Sequence, residues 1–254
     1  MTLIELMISV TILSVTVAAL GAMARAVQIS AEYNESYGTA TQNARVTFDR
    51  LDRAINQAYA NKTYPGVWTT IDLIGGYDFP DTLVVWRPSG NPINPQGAPL
   101  ASELVVFCPD PALPNRLLEI TVPSDSRTMP SPSSPATFKT FIDGLKTATG
   151  AQKAQLTDLV RTTPVSGSPN PRAAVRFVVT RNPTDSEMLT YPSVAWMNLP
   201  WTQSICGPAT GLRQVWVRTE LQLMPSGQWV ETNTAAQQAV PFFGSSAYCF
   251  EMTP

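Results

Sequence analysis

The chain has 254 residues, enough for one large domain or a domain with a long appendage. Its 17 basic and 19 acidic residues nearly cancel, so the electrostatic footprint of a nucleic-acid binder is absent. There is no His, which removes the commonest general base and metal ligand, and only 14% of residues are charged, against about a quarter in ordinary soluble domains.

The first element is the most informative. From Leu6 to Ala24 no residue is charged, and as a helix this run is long enough to cross about 30 Å of hydrocarbon. A cleavable secretory signal carries a basic region before its apolar core, and nothing basic stands before this one. The sequence therefore leads us to expect a start produced by removal of a leader. Glu5 is the sole charge ahead of Arg25. A carboxylate in a membrane helix costs about 3 kcal/mol unless paired or near an interface, so it is read first as functional. The alternative is a residue that snorkels to headgroups or complements the positive helix N-terminus.

The run Met1-Thr2-Leu3-Ile4-Glu5-Leu6 resembles the start of mature type IV pilins and type II secretion pseudopilins, whose mark is an apolar residue followed by Thr-Leu-Ile-Glu-Leu. In that family a prepilin peptidase removes a short basic leader before residue 1, and the new amine is methylated. The resemblance implies processing at Met1, and pairing of Glu5 with the N-terminal amine of a neighbouring subunit. An ammonium and a carboxylate that are each costly in lipid lower both costs when brought together. Two departures stand out: Met1 occupies a position usually held by Phe and doubles as an initiator, and Gly21-Ala22 replaces a Pro common near that point. Gly21, with Ser14 and Thr16 upstream, is read either as a place where the helix melts locally or as part of a small-residue packing face.

The helical period continues beyond Arg25. Ile29, Tyr33, Tyr37, Ala40, Ala44, Phe48, Leu51, Ile55 and Tyr59 recur at steps of three and four, and no Pro occurs before Pro65. Arg45, Asp49, Arg50 and Arg53 mark the other face, with Asp49 and Arg53 in the favourable i,i+4 order. The expectation is one helix over about residues 1–60, divided into a membrane or filament-core part (1–24) and an amphipathic part (25–60). A coiled-coil stalk is the rival for residues 26–60, and the Ala and Tyr in the stripe argue against it.

From Pro65 the texture changes to a globular β-rich head over 61–254. Residues 81–87, 102–108 and 116–122 read as successive strands between Pro-rich loops. The Pro/Ser stretch 129–135 leads into an inserted helix near 136–161, interrupted around Gly150. Residues 174–181 and 212–224 alternate as half-buried strands, with Val215, Val217, Thr219, Leu221 and Leu223 on one face. The C-terminal AVPFFGSSAYCFEM supplies a final strand or closing segment. The fold class is α+β, a long helix packed on an antiparallel sheet in the lollipop form that the resemblance implies.

The cysteines, Cys108, Cys206 and Cys249, form no CxxC, and three single bridges are open. The resemblance favours Cys206 with Cys249, because many pilins close a C-terminal loop with a disulfide; Cys108 is the rival. Asp78, Asp81, Asp110, Asp185 and Glu187 lack the spacing of a calcium loop and are read as solvated loop acids. The six tryptophans suit core and inter-subunit packing better than carbohydrate stacking. No phosphate loop, GxSxG elbow or HExxH occurs. The function expected is a non-enzymatic filament subunit without cofactors, similar to larger minor pilins or J-type pseudopilins. Its partners would be copies of itself or other pilins, the prepilin peptidase and an assembly platform. It would wait in the bacterial inner membrane and then enter an extracellular or periplasm-spanning filament. The alternatives are a periplasmic enzyme or binding protein anchored by an uncleaved helix, and a pilus-borne adhesin.

Overall fold

The computed structural model describes residues 2–168, 170–188, 211–225 and 239–252. A single helix, α1, runs from Leu3 to Asn56, 54 residues or about 80 Å. Thr2 caps it, accepting from the Glu5 amide at 3.4 Å, while the Glu5 carboxylate accepts from the Thr2 amide at 2.8 Å. This capping box satisfies two donors that helix geometry leaves without partners. At the far end the Gln57 amide donates back to Arg53 and Ile55, and the Tyr59 amide leaves the helical pattern to pair with the Trp86 carbonyl. The chain then turns at Pro65 and Gly66. Gly66 has φ of +80°, and a Cβ there would lie 2.3 Å from the Tyr59 carbonyl oxygen, so only glycine fits.

Five antiparallel strands follow: β1 (Val67–Ile74), β2 (Tyr77–Trp86), β3 (Leu104–Pro109), β4 (Leu117–Thr121) and β5 (Gln152–Thr157), lying side by side in that order. The helix α2 (Pro135–Lys146) is inserted before β5. The short pair β6 (Thr162–Thr163) and β7 (Arg172–Ala173) precedes β8 (Val175–Asn182) and the one-turn helix α3 (Asp185–Met188). Two long strands, β9 (Gly211–Leu223) and β10 (Val240–Met252), complete a second antiparallel sheet of order β10-β9-β8. The α+β class and the long helix against antiparallel sheets agree with the sequence.

Period-2 alternation decides which residues go where. Leu83, Val85, Val105, Phe107 and Leu117 face one side of the first sheet, where they meet Leu51, Ala54 and Ile55 of α1 and Val215, Val217, Leu221 and Leu223 of β9. Val84, Trp86, Leu104, Val106, Cys108, Leu118 and Ile120 face the other side, under Phe138, Ile142 and Leu145 of α2. The first sheet is thus buried on both faces, which explains its near-continuous apolar runs. Each large aliphatic side chain so removed from water contributes about 1.5–3 kcal/mol.

Two expectations need correction. The inserted helix does not reach residue 161: α2 stops at Lys146, Gly150 takes φ of +90°, and residues 152–157 pair with β4 as β5. The pairing requirement of the β4 edge overrides the helical spacing of Leu156 and Leu159. β1 was not anticipated, although its Thr- and Ile-containing run ends in Gly75-Gly76, a two-residue hairpin turn with both φ positive. β2 accordingly begins at Tyr77 rather than 81, and tolerates Pro80 because the ladder is already irregular opposite Thr70 and Asp72.

The docking of α1 on β10 depends on small side chains. Ala40, Ala44 and Thr47 are buried, and Gly244 lies so close to Phe48 that an added Cβ would sit 2.6 Å from the ring. Gly244→Ala is expected to lower the unfolding free energy by about 1–3 kcal/mol, with Phe48→Leu in the same chain restoring part of the loss. Denaturant unfolding of the detergent-solubilised chain, followed by Trp fluorescence, reads both effects.

Candidate assembly interface

Among the described residues, the head covers the last third of α1. Its buried residues are Ala40, Ala44, Thr47, Leu51, Ala54 and Ile55. Every large apolar residue from Leu3 to Tyr37 is exposed, including Leu6, Ile12, Leu20, Val27 and Tyr33. Ile29, Tyr33 and Tyr37 of the predicted stripe thus extend beyond the head instead of packing on it, and Tyr33 stacks on Tyr37 with ring centroids 6.3 Å apart. This helix is long and apolar enough to cross a membrane.

The polar atoms of the apolar segment are satisfied within it. Ser9, Thr11, Ser14 and Thr16 each donate to the carbonyl four residues earlier, at 2.7–2.8 Å. No hydroxyl is left to carry an unpaired donor into an apolar environment. Gly21 lies in uninterrupted helix with open space around it. Glu5 is exposed and engaged in its own capping box, so in the single chain its partner is the Thr2 amide. Met1, expected to be processed and methylated, lies outside the described residues. Glu5 and the apolar stripe are therefore placed together at one end of an uncovered helix.

Cys206 also lies outside the described residues. Cys108 and Cys249 are free thiols in separate environments: Cys108 under α2, Cys249 on the exposed face of β10. Burial pushes the Cys108 thiol up to about 12, which suits an inert core residue.

Among its described residues the head holds charged clusters that sequence reasoning missed. Asp81 and Asp185, read as solvated loop acids, are ion-paired. Arg172 bridges Asp72 and Asp81, the latter at 2.8 Å, and Lys139 of α2 reaches Asp72 at 2.9 Å and also pairs with Asp143. These groups line a hollow of about 370 Å³ beside Lys146 and Pro171. Asp185 joins Arg181, at 2.7 Å, to the buried Arg213. The partners lie up to 100 residues apart in sequence, so no local pattern announces them. Among the described residues no group of three His, Cys, Asp or Glu side chains is arranged to hold a metal. Asn61, in a glycosylation-like triplet, donates its amide to the carbonyls of Pro95 and Gly97. Trp68 and Trp86 are core residues, while Trp216 and Phe243 are exposed on the outer face of the second sheet.

Comparison of the chain with protein-family models, with curated proteins and with solved structures finds no match in any of the three. The class these observations define is a protein with a long, uncovered apolar N-terminal helix carrying an α+β head.

The clusters set the pH response of the head. Burial is the largest single influence on Asp72, Asp143 and Asp185 and opposes their ionisation. The hydrogen bonds and charges of Lys139, Lys146, Arg172, Arg181 and Arg213 together outweigh it, and all three sit below the ordinary value of 3.8. Their stabilisation is present above that value and lost as pH falls through their lower folded values. Asp81 has the opposite sign: burial raises its pKa, so its contribution is lost as pH rises and partly offsets the others. With no His, stability is expected to be flat over about pH 5.5 to 8 and to fall below 3.8. Asp72→Asn should flatten that acid limb in thermal unfolding monitored by Trp fluorescence.

Proposed function

We propose that the chain is a structural subunit that polymerises through α1 into a filament of the type IV pilus or type II pseudopilus kind. The observation that carries this reading is the division of α1. One continuous helix has its last third fixed in the head and its first two thirds uncovered, and within the uncovered part residues 6–24 carry no charge and Ser9, Thr11, Ser14 and Thr16 are satisfied by the helix's own carbonyls. Such a surface is stable only in lipid or against other apolar helices, and a soluble monomer would leave far more apolar area in water than the few hundred Å² usual for a surface patch.

Glu5 gives the packing a direction. In an apolar bundle its carboxylate needs a partner, and the amine of a neighbouring subunit at Met1 is the complement that the pilin resemblance implies. The capping box is the competing use of the same carboxylate. Assembly would exchange the bond to the Thr2 amide for a charge-assisted one to a neighbour, or add the second to the first. In this reading a leader peptidase frees Met1, the amine is methylated, and subunits wait in the bacterial inner membrane with heads outward. An assembly platform then transfers them into a filament that leaves the cell or spans the periplasm. The head clusters serve stability, because their charges are mutually paired.

The reading in which α1 merely anchors a periplasmic enzyme or binding protein makes a different prediction for Glu5. In the producing cells, Glu5→Gln and Glu5→Ala are expected to leave membrane-bound chain at the wild-type level and to reduce shear-released polymer by about tenfold or more, since an unpaired buried group costs more than one tenfold step. Fractionation and immunoblotting read both quantities. Polymer at the wild-type level in both variants would contradict the role given to Glu5, and a wild-type chain wholly confined to the membrane would favour the anchor.

A further inference from the structure

Four charged residues of α1 have a spacing that the single chain does not use. Glu32 and Glu35 form one exposed pair, three residues apart, and Arg50 and Arg53 form another with the same step. The two pairs are offset by 18 residues, five complete turns, so they occupy the same stripe of the helix about 27 Å apart. We propose that a second copy of this chain packs beside α1 with a shift of about five turns, setting Glu32 and Glu35 of one copy against Arg50 and Arg53 of the next. This rests on the filament reading above and specifies its register.

Three observations support the shift. The head-packed part of α1, from Ala40 to Ile55, spans about 23 Å. A shift of about 27 Å therefore lets the head-packed stretches of successive copies follow one another along the fibre instead of competing for the same length. Next, Arg50 and Arg87 share a single buried carboxylate, Glu119, at 2.6 and 3.4 Å. Two guanidinium groups on one carboxylate leave surplus positive charge beside a hollow of about 690 Å³, which Gln57, Ser89 and Gln152 also line. A neighbour's carboxylate is the complement. Finally, Glu35 and Arg53 are exposed and take part in no ion pair among the described residues, and the Asp49–Arg53 pair favoured by spacing is not closed.

The test uses the full chain in its membrane or polymer. Arg53→Lys keeps the charge and introduces an amine that a zero-length carbodiimide can couple to a carboxylate in contact with it. Residues 35 and 53 of one helix are about 27 Å apart, so an amide between them can form only between copies. Expected is a cross-linked tryptic peptide pairing position 53 with Glu35 or Glu32, absent when both are changed to Gln. Glu35→Arg alone and Arg53→Glu alone should each reduce polymer by about tenfold or more, and the double exchange should restore it. Polymer without that cross-link, with both single reversals assembling as wild type, overturns this register and leaves assembly through α1 standing. Absence of polymer from the wild-type chain overturns the assembly reading and this contact together.

Discussion

Everything in this molecule depends on α1 being one helix in two environments. From Ala40 to Ile55 it supplies one wall of the core between the two sheets; before that it has no cover from the described parts of its own chain. The backbone can remain helical in both environments because an α-helix satisfies its own hydrogen bonds, and here the hydroxyls along the apolar segment do the same. The head holds the helix by close approach, Gly244 against Phe48 and Ala40 and Ala44 in contact with the core, together with the fully buried Leu51 and Ile55.

That arrangement gives the head a mechanical task. A helix about 80 Å long, held at one end, transmits any lateral force to its anchorage. The anchorage is strengthened by ion pairs placed where α1 and the sheet meet, with Arg50 on the buried Glu119, and by a sheet covered on both faces. The Asp72–Arg172–Asp81 and Arg181–Asp185–Arg213 groups join segments distant in sequence, tying the β1–β2 hairpin to α2 and β7, and β8 to β9.

Much of this was legible in the residues and some was not. The helix through the apolar run from Leu6, the three- and four-residue steps from Ala40 to Ile55 and the alternation of Val215 to Leu223 all appear in the structure, the last two with their apolar faces buried, while Ile29, Tyr33 and Tyr37 of the same stripe stay uncovered. Their limits were less visible. Where the head stops covering α1, between Tyr37 and Ala40, depends on how far β10 reaches, and nothing local to the helix encodes that. The end of α2 and the strand at 152–157 were misread because pairing to β4 is non-local. The role of Asp81 was misread because its partner lies 91 residues away. Glu5 was legible as an oddity, but its capping box with Thr2 is a second use of the same carboxylate that the Thr-x-x-Glu spacing also announces.

The central claim is that the uncovered part of α1 exists to pack against other copies. Electron cryo-microscopy of material sheared from producing cells tests it most directly. The account predicts filaments with a core of parallel α1 helices from residue 3 onward, heads outside, and Glu5 within contact of a neighbouring chain. Isolated chains retained in membrane vesicles, each with α1 surrounded by lipid and no polymer in the sheared fraction, would contradict it.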